Sequence, residues 1–399
     1  MAIRRLFALI IILILSTQST SFVLAKPNNS TSPEDLAQEF LCAKMNSLVS
    51  KNVDAIDKYY YSKSLNSQKY KLFTKQELLQ DYLISYASND YEIKKVSPKV
   101  QIIFSTINGD TATVEAILKT DIYWNSSNAL GKPIVGRKAE KHILSLYYEN
   151  NNWKIVADQY LTSRGNSDSF INEDFSRLID TTEKLKIEAK DTLNRTKRSK
   201  PSRLTFGIDE NVVQNRVAAS TSYNRNAAYN WALTYWDNPS KEFVNLGDQK
   251  WEGGDCTNFV SQCLRAGGAN NDKTGSYQWF YDSDNSYSWT WSTATGLNYI
   301  LLGNYKANEF GPKGTEKVIT GDVEYSSFIG QYMKLGDIIQ YQWKPTKKIT
   351  HSAIIVGMLF NSSKERYEPV IAEHTNNSWY TPWTNNAYKT YFVHIESIN

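Results

Sequence analysis

The sequence predicts an α+β protein in two parts, and three observations carry that reading. Apolar residues recur at helical spacing in the first stretch. From Tyr91 the period shifts towards two, and near Ser222 a second helix-then-strand pattern begins. A length of 399 residues suits two domains plus connections. The expected division is a leader at 1–25, a separate α+β domain at 26–165, a helical and basic linker at 166–221, and a second domain at 222–399.

The chain opens with Arg4-Arg5, an apolar run from Leu6 to Leu15, and Val23-Leu24-Ala25 before Lys26. That is the layout of a secretory signal peptide, with cleavage expected after Ala25. The run is too short for a comfortable membrane anchor, and no second long apolar segment follows. The mature chain is therefore expected to be exported, free of an integral membrane segment, and at most associated with the cell wall. The formal charge is +4, or +2 without Arg4 and Arg5, which is too weak to argue for nucleic acid.

In the first part, Ser32-Pro33-Glu34-Asp35 is a helix-start signal. Leu36, Phe40, Leu41, Met45 and Leu48 form one apolar stripe behind it. Leu72, Leu78, Leu79, Tyr82 and Leu83 suggest a later helix. Val100, Ile102 and Phe104 then alternate before the hairpin signal Asn108-Gly109. Thr111 to Leu118 alternates less cleanly. Leu144, Leu146 and Tyr148 lead through Asn150-Asn151-Asn152 into Trp153 and Ile155, a further hairpin. This layout is similar to nuclear-transport-factor-like (SnoaL-like) domains, which implies a cone-like accessory or dimerising domain. No motif in it marks a pocket.

Phe175, Leu178, Ile179, Leu185, Ala189 and Leu193 continue at helical spacing, and Arg195 to Arg203 reads as a solvated connector. In the second part, Ala227, Ala228, Trp231, Ala232 and Tyr235 form a helical face. The aromatics between Trp279 and Trp291 fit either a binding groove or ordinary packing. Leu335-Gly336-Asp337 is a turn feeding a strand. Ser352 to Leu359 is an apolar strand just after His351. Val370 to His374 is another, and Tyr391, Phe392 and Ile395 mark a last short one.

The most informative stretch runs from Gly253 to Leu264. Asp255 is placed to cap a helix whose apolar face is Phe259, Val260, Cys263 and Leu264, with Gly267-Gly268 as the stop. Cys256 then lies in the first turn, where unpaired N–H groups and the macrodipole favour a thiolate. Cys256 and Cys263 would sit about 10 Å apart along such a helix at ~1.5 Å per residue, beyond the roughly 7 Å a disulfide tolerates. Cys42 is remote. At least one free thiol is expected, with Cys263 in the core and Cys256 as a candidate nucleophile.

A cysteine nucleophile needs an imidazole base and a third group to orient it. His142 belongs to the other half and His394 has no polar cluster in its sequence neighbourhood, so both read as structural. His351 opens an apolar strand and is expected at a rim. His374 ends the next strand, whose end an antiparallel arrangement brings near His351. Glu373 points to the opposite face from His374, so only one of them can face His351. Asn376 is a third candidate.

The order Gly-Asp-Cys-Thr-Asn-Phe-Val-Ser-Gln, Leu-Gly-Asp-Ile-Ile-Gln, Thr-His-Ser-Ala-Ile-Ile-Val-Gly and Glu-His-Thr-Asn-Asn resembles a bacterial putative amidase domain family. That family is similar to the papain-like cell-wall hydrolases, including the CHAP group of cysteine, histidine-dependent amidohydrolases and peptidases. The resemblance covers roughly Ser222 to Ile398. It implies a papain-like domain with Cys256 as nucleophile, His351 as base and no metal or cofactor. His374 matches the third position best. Glu373 stays open, because the resemblance implies a glutamate nearby in CHAP-type members.

The expected activity is thus hydrolysis of amide bonds through a thioester, with peptides of the cell wall as the substrate class. A serine elbow of the Gly-x-Ser-x-Gly type is absent, and the spacings of zinc amidases are absent too. A reading from another class is a non-catalytic wall-binding or adhesion module built on the aromatic segment. The oligomeric state and the role of the first half are left open.

Overall fold

The computed structural model describes residues 31–86, 92–127, 133–162, 165–198, 223–248, 255–275, 277–303, 311–320, 329, 332–343, 348–361, 366–384 and 387–398. The expected leader, most of the basic linker, and Gly253-Gly254 lie outside the described residues.

Helix α1 (Pro33–Ser50) starts where its signal stands. The Asp35 amide donates to Ser32 Oγ at 3.0 Å, and the Ser32 amide donates to the Asp35 carboxylate at 3.3 Å. All five residues of its predicted stripe are buried. Helix α2 (Leu65–Tyr86) follows, then the strands β1 (Ile93–Asn108), β2 (Thr111–Ser127), β3 (Pro133–Glu149) and β4 (Asn152–Gln159), paired antiparallel in sequence. Two-residue turns close two of the hairpins. Gly109 adopts φ 59° in the first, and Asn150 and Asn151 adopt 50° and 63° in the second, the left-handed pair that a type I′ turn demands. Buried residues of α1, α2 and these strands form one core.

The alternation expected to bury Phe104 fails. A bulge between Ile102 and Phe104 resets the register, and Phe104 is 55% exposed. A small hairpin, β5 (Leu161–Thr162) with β6 (Gly165–Asn166), leads to helix α3 (Phe175–Arg198), which the sequence predicts.

The second half begins with α4 (Arg225–Tyr235), capped by Asn224, and α5 (Cys256–Ala266). Phe259, Val260, Cys263 and Leu264 are fully buried, so the predicted face is the packed one. Gly267 lies flat on the Tyr223 ring, where an added Cβ would come within 2.3 Å of a ring carbon. A hairpin of β7 (Tyr281–Ser283) and β8 (Ser286–Tyr287) precedes α6 (Trp289–Ser292) and α7 (Ala294–Leu301). The strands are β9 (Pro312–Thr320), β10 (Ile338–Gln342), β11 (His351–Asn361), β12 (Arg366–Glu373), β13 (Asn377–Pro382) and β14 (Lys389–Ile398). Strands β9 and β13 were not expected. β9 is an edge strand carrying five Lys, Glu and Thr residues, so it shows little apolar alternation.

The strand order β1-β2-β3-β13-β12-β11-β10-β14-β9 forms one antiparallel sheet, with β4 beside β3. The first half is therefore joined to the second within one sheet. β3 pairs with β13 through Ala139–Asn377, Lys138–Ser378 and Arg137–Trp379. Apolar faces of α4, α5 and α7 cover one side of the second-half strands. Ile339, Tyr341, Ala353, Ile355, Ile371 and Phe392 project on the other side. Arg225 ties α4 to this sheet, donating to Asp337 Oδ1 at 2.6 Å and to the carbonyls of Leu335 and Ile395. His394 meets Asp337 Oδ2 at 2.7 Å, so it does belong to a polar cluster, a structural one. Among the described residues no helix is long and apolar enough to cross a membrane.

Candidate active site

The sheet register decides which groups can meet. His351 stands opposite Tyr341, and Ser352 opposite Gln340. Across β11 and β12, Ile354 pairs with Ala372, so the next step of the same ladder sets Ala353 opposite Glu373 and Ser352 opposite His374. Side chains alternate, so Glu373 shares a face with His351 while His374 shares a face with Ser352. The structure bears this out at the atoms. His351 Nε2 lies 2.6 Å from Glu373 Oε2, and both residues are buried. Ser378 Oγ donates to the other carboxylate oxygen at 3.2 Å.

His374, expected to meet His351, is turned away from it. Its Nε2 donates to the Tyr235 carbonyl at 2.8 Å, its Nδ1 meets Asp255 Oδ2 at 2.6 Å, and its ring stacks on Phe259 with centroids 3.9 Å apart. It braces the start of α5 instead. Asn376 is buried, and its Oδ1 has no partner. It faces a cavity rather than the imidazole.

Asp255 stands at the N-cap of α5, but its side chain makes no capping bond. Its oxygens serve His374, the Leu246 amide at 2.9 Å and Asn258 Nδ2 at 2.7 Å. These contacts fix the first turn that carries Cys256. Thr257 reaches Ser352, with 3.0 Å between hydroxyl oxygens, and Gln340 Nε2 donates to that same Ser352 oxygen at 3.0 Å and to the Ala294 carbonyl at 2.8 Å. A buried polar chain thus locks the helix to β10 and β11.

Cys256 is 5% exposed. Burial alone pushes its thiol up, but the charge and hydrogen bond of His351, the Ser352 amide and the Thr257 hydroxyl together hold it below the ordinary thiol range. Burial likewise disfavours a charged His351. Cys256 and Glu373 outweigh it, pushing the imidazole up to about 10. Glu373 occupies Nε2, which leaves Nδ1 for the sulfur. A thiolate–imidazolium pair backed by a carboxylate is what this geometry favours. Cys263 on the same helix is the opposite case: burial pushes its thiol well up, with no cation to offset it. All three cysteines are free.

The aromatic segment expected to line a groove is mostly packing. Trp279 and Trp291 are fully buried, and Phe243, Tyr281 and Trp291 contact one another. Trp289, at 45% exposure, is an exception. Among the described residues no three His, Cys, Asp or Glu side chains converge as a metal set.

Sequence reasoning missed what the first half contributes. A cavity of about 60 Å³ lies where the halves join, with Glu373, Tyr341 and Asn376 on one side and Trp124, Lys138 and Asp81 on the other. In the interior of the first half, His142 Nδ1 lies 2.7 Å from Asp158 Oδ1, both fully buried, with Lys44 and Glu140 paired nearby at 3.4 Å. Only the pairing of β3 with β13 brings Lys138 and Trp124 to the site, and no local motif announces it.

The family comparison falls on the second half. Residues 222–395 match the model of the family described as "Putative amidase domain", which points to amide hydrolysis. The chain is also 34% identical over 138 residues to the "Uncharacterized protein YhbB" of Bacillus subtilis (strain 168). That match spans 34% of this chain and 37% of the relative, so it covers little more than a third of either protein.

Proposed function

We propose that the protein is an exported cysteine amidase or peptidase that hydrolyses amide bonds in cell-wall peptides, with Cys256, His351 and Glu373 as its triad. The observation that carries this reading is the convergence of those three side chains at the start of α5 and the ends of β11 and β12. The papain-like arrangement and the wall substrate rest on the family resemblance of the second half. Export rests on the leader-like pattern of residues 1–25.

In this reading the resting pair is a Cys256 thiolate and a His351 imidazolium. The sulfur attacks the carbonyl carbon, and the oxyanion is held by backbone N–H groups at the start of α5. As the C–N bond breaks, His351 gives its proton to the leaving amine. A thioester remains. Neutral His351 then takes a proton from water, the hydroxide attacks the thioester, and the acid leaves as the thiolate–imidazolium pair re-forms. Glu373 keeps the imidazole in orientation and supports its charge throughout.

The test needs no substrate at first. Iodoacetamide labelling from pH 5 to 9, mapped by mass spectrometry, should show Cys256 alone reacting fast well below pH ~8.5, the ordinary thiol value. His351→Ala should abolish that advantage. Labelling of Cys256 at the rate of an ordinary thiol, independent of His351, would remove the nucleophile and favour the wall-binding module. Release of amino groups from purified walls, absent in Cys256→Ala, is the complementary assay.

A further inference from the structure

A line of polar side chains runs from the Cys256 sulfur through the interior to strand β9. Cys256 Sγ lies 3.7 Å from Thr257 Oγ1, which lies 3.0 Å from Ser352 Oγ. Gln340 Nε2 reaches Ser352 Oγ at 3.0 Å, Asn298 Nδ2 reaches Gln340 Oε1 at 3.1 Å, and the same nitrogen reaches Glu316 Oε2 at 2.7 Å. Thr257, Ser352 and Gln340 are fully buried, and Asn298 nearly so. One side chain comes from each of α5, β11, β10 and α7. The triad uses the sulfur and leaves the rest of the line without a task.

Elementary chemistry fixes which way the hydrogens point. The Ala294 carbonyl only accepts, so the Gln340 nitrogen faces it at 2.8 Å and gives its other hydrogen to Ser352 Oγ. Ser352 therefore accepts from Gln340, and among the described residues its own hydrogen has one acceptor in reach, Thr257 Oγ1. Thr257 takes that hydrogen and has one acceptor left for its own, the sulfur. In this order every hydrogen is used. In the reverse order Thr257 donates to Ser352, the Ser352 hydrogen is stranded, and the thiol must donate to Thr257. Stranding a buried hydroxyl hydrogen carries its full desolvation penalty, so the first order wins. That order asks for an acceptor at sulfur, which a thiolate is and a thiol is only weakly.

We propose that this chain is a donor relay to the nucleophile, which delivers the Thr257 hydroxyl hydrogen to Cys256 Sγ and so holds the sulfur as a thiolate before substrate arrives. The proposal rests on the amidase reading above. Thr257 touches the reacting sulfur, whereas Ser352, Gln340 and Asn298 act through it and are positioning residues. The other groups at the sulfur are the Ser352 amide and His351 of β11, with Glu373 of β12 behind the imidazole. Asp255, one residue before Cys256, is spent on His374, the Leu246 amide and Asn258. Between Thr257 and Glu316 the line contains no titratable side chain. It supplies a donor that does not depend on the charge of His351.

Iodoacetamide labelling of Cys256 against pH, in the full-length protein, tests this. Thr257→Val keeps the shape and deletes the hydroxyl. Its acid limb should move up by about 0.5 to 1 pH unit. Once ionised, its sulfur should react at least as fast as the parent's, because the more basic thiolate is the better nucleophile. Thr257→Ser should restore the parent limb. Ser352→Ala should move the limb up by less, and should add nothing in the Thr257→Val background, since it acts only through Thr257. A limb that moves down in Thr257→Val overturns the proposal, because the hydroxyl then served the thiol. An unmoved limb, whatever happens to the plateau, overturns it too and leaves Thr257 as packing. So does an equal further shift from Ser352→Ala on the Thr257→Val background. If Thr257→Val alone does not fold, Thr257→Val/Ser352→Ala removes both hydroxyls together and carries the test against Ser352→Ala. Hydrolysis surviving in Cys256→Ala would instead sink the underlying amidase reading, and the limb shifts, which need no substrate, are read independently of it.

Discussion

Each half of the molecule buries a histidine against a carboxylate at almost the same distance. His142 and Asp158 are 2.7 Å apart in the first half, and His351 and Glu373 are 2.6 Å apart in the second. In both, burial disfavours the charged imidazole and neighbouring acidic groups outweigh it, Asp158 for His142 and Cys256 then Glu373 for His351, so both pKa values rise. The pairs differ in what else they touch. His142 faces Lys44, Glu140 and Tyr160 inside a closed core. His351 faces a thiol at a helix start. A histidine–carboxylate pair is therefore a common structural device, and the third partner turns it towards chemistry.

The largest effect separates the pairs at once. His351→Ala should lower hydrolysis at least ~10³-fold, because base and acid are lost together, while thermal stability changes modestly. His142→Ala should do the reverse. It strands Asp158 with no exposure, and breaking a buried pair costs about 3–5 kcal/mol. Any soluble fraction should still label at Cys256. Denaturant melts beside labelling rates check both statements, and a His142 variant that is folded but unreactive at Cys256 would erase the distinction drawn between the pairs.

The pH dependence sharpens it. Cys256 is held below the ordinary thiol value, so its labelling should rise along an acid limb centred below pH ~8.5 and stay level until His351 loses its proton near pH 10. With His351→Ala only burial and the weaker hydrogen bonds remain, and the limb should move above the ordinary value. For the structural pair, a raised imidazole pKa means stability that is complete below pH ~6.5 and fades as pH rises through the folded value. Melting temperature followed from pH 5 to 9 should show that fall in the parent and lose it in His142→Gln.

Next comes the carboxylate itself. Glu373→Gln retains an acceptor but loses the charge, so kcat should drop about 10- to 10³-fold with little change in KM. His374→Gln loosens only the brace on Asp255 and should cost less than tenfold. A larger loss from His374→Gln than from Glu373→Gln would reinstate the orienter that the sequence order favoured.

That reversal shows where the sequence was legible. The start of α1, the two turn signals, the face of α5 and the strands after Gly336 and His351 were readable, because caps, φ-demanding turns and apolar periods act locally. Cys256 and His351 were readable for the same reason, each at the first residue of its element. The choice between Glu373 and His374 was not, because it turns on a register of one residue, and adjacent residues exchange faces. Strand β13, the continuous sheet and the cavity were not legible either. They depend on β3 meeting a strand more than two hundred residues away, and contacts so distant leave no periodic mark.

The smallest effect tests whether that distant pairing reaches the chemistry. Ser378 stands opposite Lys138 on β3, and its hydroxyl donates to Glu373 Oε1. The pairing of the halves therefore sets one of the two oxygens that hold His351's partner. A net hydrogen bond is worth about 1 kcal/mol, so Ser378→Ala should cut kcat roughly fivefold and leave KM in place, with Ser378→Thr recovering most of it. The acid limb of Cys256 labelling should move up slightly, because a less anchored carboxylate supports the imidazolium less. A purely structural serine would lower stability without moving that limb. In that case β3 would hold the wall of the cavity without any grip on the triad.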